Sequence, residues 1–123
     1  MTPKDLKDRT KRFAVKVIFL VRELPTTTDG RELGRQLLRA GTSVASNYRA
    51  ACRARSRAEF IAKLGIVLEE SDESLFWLEL IVASRIKPQA RVEALMNEAD
   101  QLTAIFTASL KTAKQNVNTH FTQ

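Results

Sequence analysis

A chain of 123 residues, 44% hydrophobic and 28% charged, forms one domain large enough to bury a core without disulfides or metals. Four glycines and three prolines are too few for a turn-rich β-fold of this length, and a single cysteine excludes an internal disulfide framework. The net charge of +6 is uneven, with 14 Lys/Arg against 5 Asp/Glu in residues 1–57 and 6 against 9 in residues 58–123. That imbalance suits either a nucleic-acid surface or basic helices laid against acidic ones.

Apolar residues step by three and four nearly throughout, so the chain reads all-α. A first helix is predicted over about residues 3–24, with Thr2 as cap, Pro3 in the first turn and Asp5 near the positive end of the dipole. Leu6, Phe13, Val17, Leu20 and Leu24 form its seam, while Val15 and Phe19 lie off it and call for a second neighbour. Lys4, Asp5, Lys7, Asp8 and Arg9 precede any apolar run, which predicts no signal peptide. The longest apolar run, Val17 to Val21, is too short to span a bilayer. With one cysteine, this gives the expectation of a cytoplasmic protein without membrane contact.

Pro25 stops that helix, and Asp29-Gly30 supplies a turn and a cap for a second helix over about 31–53. Its seam is Leu33, Leu37, Ala40, Val44, Tyr48 and Ala51. Wound at about 100° per residue, Arg31, Arg35, Arg39, Arg49, Arg53 and, if the helix reaches it, Arg57 fall on the opposite face within an arc of about 80°. Glu32 is the one acid within this helix, so the arginines need partners elsewhere, either acids of another helix or subunit, or phosphates. No aromatic platform lies among them, so phosphate contacts with weak sequence readout are expected. Gly41, Ala45 and Cys52 form a small-residue flank for close helix packing, which predicts a packed, structural thiol.

Ser56, with Glu59 three residues on, predicts a capping box at the start of a third helix over about 57–85. Its seam is Phe60, Leu64, Val67/Leu68, Ser71, Leu75, Leu78 and Val82, and Ile66, Trp77 and Leu80 form an apolar group opposite the core. With Val15 and Phe19, these three are the expected oligomer interface. Asp72 and Glu79 flank the seam at a seven-residue spacing, placing them to meet Ser43 and Asn47 of the second helix in a structural polar network. Pro88 opens a fourth helix over about 88–114, and the polar residues 116–123 form a tail expected to fray. Residues 1–115 then make an antiparallel up-down-up-down four-helix bundle.

No enzyme chemistry is legible. The one histidine, His120, falls in the tail, no His joins the acidic cluster Glu69-Glu70-Ser71-Asp72-Glu73, and no metal or cofactor is predicted. Two readings stay open: nucleic-acid binding through the arginine face, or a scaffold or adaptor whose arginines pair with acids across subunits.

Gln36-Leu-Leu-Arg-Ala-Gly-Thr-Ser-Val-Ala-Ser-Asn47, Asn47-Tyr-Arg-Ala-Ala51 and Glu70-Ser-Asp-Glu-Ser-Leu-Phe-Trp-Leu-Glu-Leu80 carry a resemblance. Over about residues 10–112 the chain resembles the bacterial four-helix-bundle proteins named for members encoded in intervening sequences of large-subunit ribosomal RNA genes. Arg49-Ala50-Ala51 stands where many members read Ala-Glu-Gly, so no role of that acid carries over. The resemblance implies a homopentamer. It also implies kinship with the accessory variability determinants of diversity-generating retroelements, basic pentamers that bind nucleic acid and associate with a reverse transcriptase. Most members have no assigned activity.

Overall fold

A computed structural model describes the backbone of residues 1–122 and the side chains through Asn116. Four helices follow in order: α1 (Pro3–Glu23), α2 (Thr28–Cys52), α3 (Arg57–Ala83) and α4 (Gln89–Thr122). Each packs on its neighbours in sequence and α1 also meets α4, while α1 and α3, like α2 and α4, stand on the diagonals. Directions alternate: Gly34 of α2 lies by Leu24 and Gly41 by Val17, and Arg9 of α1 reaches Glu98 of α4 while Glu23 reaches Arg91. The fold is an all-α four-helix bundle.

Local chemistry sets the helix ends. Thr2 and Asp5 close a reciprocal capping box, the Asp5 amide donating to Thr2 Oγ1 (3.1 Å) and the Thr2 amide to Asp5 Oδ2 (2.9 Å). Those bonds, the backbone one foremost, hold the Asp5 carboxyl below its ordinary pKa. Ser56 caps α3 through the Glu59 amide (3.0 Å), but the Glu59 carboxylate accepts from the Arg55 amide (3.2 Å), so the box closes one residue early. The second helix starts earlier than its sequence suggests. Thr27 is the cap, accepting from the Gly30 amide (3.2 Å), and Asp29 already lies in the first turn. Gly30 permits this, because a Cβ there would stand 2.3 Å from the Pro25 carbonyl oxygen. The fourth helix runs on to Thr122 instead of ending near 114; the side chains of 117–123, and any fraying of that tail, lie outside the described residues.

The core is one apolar column. Phe13, Val17 and Leu20 of α1, Leu37 and Val44 of α2, Leu64, Val67, Leu78 and Ile81 of α3, and Val92, Leu102 and Phe106 of α4 are buried. Tyr48 and Phe106 meet across the diagonal with ring centroids 5.3 Å apart. Burial, and then contact with Cys52, pushes the Tyr48 phenol pKa up.

Three sequence expectations fail here. The network of Ser43, Asn47, Asp72 and Glu79 does not form across helices: Asn47 Nδ2 bonds back to Ser43 Oγ (2.8 Å) and Ser43 O (3.0 Å), while Asp72 and Glu79 are exposed. The hydroxyl contact between helices is instead Ser71 to Thr103, at 3.2 Å. Cys52 is exposed, because Ala51 takes the buried position in the last turn of α2. Trp77 packs against the core edge, its indole donating to Glu73 (3.2 Å), and its neighbour Phe76, half exposed, holds the outer position.

Candidate functional site

The arginine face of α2 divides into parts with different partners. Arg35 bonds Glu32 one turn away (2.7 Å). Arg39 reaches across to α3 and pairs with both Glu70 (3.2 Å) and Glu73, a contact the sequence reading assigned to no particular acid. Burial nonetheless raises the Glu70 pKa, outweighing the pull of the Arg39 charge. Arg31 stands exposed in the first turns of α2. Arg57 is not on this face at all: α2 ends at Cys52, and Arg57 opens α3 beside Phe60 and Thr112. Arg49 and Arg53, at the C-terminal end of α2 where the negative end of the helix dipole favours cations, have no ion-pair partner among the described residues.

These two unpaired arginines are not alone. Beyond Gly41, where Val17 seats against the α2 backbone, α1 and α2 border a cleft of about 590 Å³. Lys4, Lys7 and Lys11 line its α1 side, Arg49 and Arg53 its α2 side, and Thr42, Ala45 and Ser46 are the remaining α2 lining. Asp8 is the one acid there. It pairs with Lys4 at 3.4 Å, but both side chains are exposed, so the pair is weak. Five cations against one carboxylate in a concave site attract a polyanion. The arginine face legible in the sequence includes the two arginines and none of the three lysines, although steps of three and four place these on one face of α1. Their convergence with Arg49 becomes visible only once α1 and α2 are laid side by side.

Two exposed apolar patches lie on diagonal helices. Val15 (40% exposed) and Phe19 (52%) stand on α1 among Arg12, Lys16 and Arg22, with the Arg22 guanidinium 5.6 Å from the Phe19 ring centroid. Phe76 (50%) and Ile66 (37%) stand on α3, where Glu69, Asp72 and Glu79 are also exposed. Leu80 is half-buried beside them. Between α1 and α4, by contrast, Arg9 is satisfied: its Nε and Nη2 donate to Glu98 (2.8 and 2.7 Å) and Nη2 also to Gln101 (2.8 Å).

Among the described residues, no group of three or more His, Cys, Asp or Glu could hold a metal ion, and no helix is long and apolar enough to cross a membrane. His120 lies outside the residues whose side chains are described.

Fold and surface together define a small all-α four-helix bundle with a strongly basic cleft between α1 and α2. Residues 4–108 match the model of the 23S rRNA-intervening sequence protein family. The chain belongs to that family. It is also similar to a crystal structure from Bacteroides thetaiotaomicron, described as a protein with unknown function from the S23 ribosomal protein family. The two share 32% identity with a TM-score of 0.83, over 90% of this chain and 99% of that one. A comparison with curated proteins gave no significant match.

Proposed function

We propose that this protein is a non-enzymatic, cytoplasmic nucleic-acid binder that holds backbone phosphates in the basic cleft between α1 and α2. The observation that carries the reading is the meeting of Lys4, Lys7, Lys11, Arg49 and Arg53 around a single carboxylate. A family named for an rRNA intervening sequence is consistent with it. Arg31 extends the basic face toward the start of α2, while Arg35 and Arg39 serve the bundle's own acids. The test is a binding titration of the purified protein with RNA and DNA at low salt. The proposal predicts binding that weakens steeply as salt rises, by about 0.7–0.9 in log-log slope for each phosphate neutralised. No binding by the folded wild-type protein would overturn it.

The patches on α1 and α3 favour a companion reading, that the protein works as a homo-oligomer. A basic-rimmed apolar face and an acidic-rimmed one, on diagonal helices, fit a second copy head to tail, and repeated head-to-tail contacts form a ring when the rotation between copies closes. A pentamer is the closure that the family resemblance implies. If nucleic acid does not bind, the same faces support the scaffold reading, with a protein partner, such as a reverse transcriptase, in place of phosphate.

A further inference from the structure

Resting on that reading, we infer that the α1–α2 cleft takes a single nucleic-acid strand, phosphates inward and bases outward, in preference to a duplex. Three observations carry this. First, cations face the cleft from both sides, with Lys7 and Lys11 one turn apart on α1, Arg49 in the last turn of α2 and Arg53 at its C-cap. Lys7 and Lys11 are spaced about 6 Å along α1, a repeat that suits successive phosphates of an extended strand. A single backbone lying between these sides is neutralised from both, whereas a duplex, stiff over about 150 base pairs, meets only the rims of a cleft between adjacent helices.

Second, neither helix stands proud of the bundle. A helix reads duplex DNA by entering a major groove about 12 Å wide. Here α1 packs on α2 and α4, and α2 on α1 and α3, so each has neighbours along two sides and neither stands apart from the bundle. Third, the cleft offers no aromatic platform for a base. Its lining holds no aromatic residue, and Tyr48, the one tyrosine, is buried against Phe106. Strand binders that engage bases use exposed aromatic platforms. This cleft has aliphatic lysine stems and small α2 side chains instead, so the strand's bases are left in solvent.

The experiment is a competition assay on the intact protein with four probes of equal length: oligo(dT), oligo(rU), an abasic deoxyribose-phosphate strand and a blunt DNA duplex. The inference predicts that the three single strands agree within about threefold, because the phosphates carry the affinity. The duplex should bind about tenfold more weakly or worse. Lys7→Glu/Lys11→Glu should erase the single-strand advantage, and Lys7→Gln/Lys11→Gln should reduce it in graded fashion while circular dichroism stays helical. A duplex that binds as tightly as the strands, or an abasic strand that loses about tenfold or more, would overturn the inference alone. A protein that binds none of the four probes would overturn the proposed function as well.

Discussion

Gly41 and Gly65 occupy the interiors of neighbouring helices, yet the same substitution should have opposite effects on them. A Cβ at Gly41 would stand 2.9 Å from both Val17 methyls, and Val17 is fully buried and stiff about χ1. A Cβ at Gly65 would meet nothing within 4 Å. Replacing helical glycine by alanine stabilises by about 1 kcal/mol where there is room, whereas overpacking a core costs about 1–3 kcal/mol. Gly65→Ala should therefore raise the urea midpoint, and Gly41→Ala should lower it by the equivalent of about 1 kcal/mol net. Equal effects of the two would mean that α1 and α2 are not held together at Gly41. The sequence already suggested the packing role of Gly41, because a glycine in an otherwise regular helix needs a reason. Cys52 belonged to the same small-residue flank and was misplaced, since Ala51 takes the buried position in the last turn of α2 and leaves the next residue facing solvent.

At the scale of elements, α2 and α3 are joined by charge as well as by apolar contact. Among the described residues, Arg39 is the one cation that Glu70 and Glu73 share. Arg39→Ala should leave two adjacent, half-buried carboxylates uncompensated, at a cost of about 1–2 kcal/mol at pH 7. The sign of its pH dependence follows from Glu70, whose pKa lies above the ordinary 4.5, from burial first. A carboxyl with a raised pKa in the folded state binds its proton more tightly when folded, so its contribution to stability declines as pH rises through that range. The deficit of Arg39→Ala should thus be largest at pH 7 and shrink toward pH 5, as seen in urea melts at the two values. A deficit unchanged between them would mean that Glu70 is not the group responsible. Helix existence and most caps were legible because Thr2, Pro3 and Ser56 act locally. The partner of Arg39 was not, because periodicity identifies a flank without saying which residues of the next helix face it. Asp72 and Glu79 were the expected polar contacts, and Glu70 and Glu73 are the ones that face α2.

On the scale of the whole molecule, the two exposed apolar patches provide a test of assembly. If α1 of one copy covers α3 of the next, Phe19→Glu and Phe76→Glu should each prevent assembly, while helical circular dichroism persists. Mixing the two variants should then restore one contact per pair, because each retains the face that the other has lost, and light scattering should report a dimer. A wild-type protein that is monomeric at micromolar concentration would contradict this arrangement. The sequence pointed to Val15, Phe19 and Ile66 as outward apolar residues but chose Trp77 over Phe76. Its seam for α3 had been drawn wide enough to leave the register of that outer face open.

If the cleft, and not the whole arginine face, meets the phosphates, the salt dependence of binding will separate the two sets of arginines. The most direct test compares the slope of log K against log salt for three proteins: wild type, Arg49→Ala/Arg53→Ala, and Arg35→Ala/Arg39→Ala. The account predicts that loss of the cleft arginines flattens the slope by about 1.4–1.8, at about 0.7–0.9 per phosphate contact. It also predicts that the second pair, already engaged with Glu32, Glu70 and Glu73, changes the slope little. Equal flattening by both pairs, or flattening by Arg35 and Arg39 alone, would contradict it.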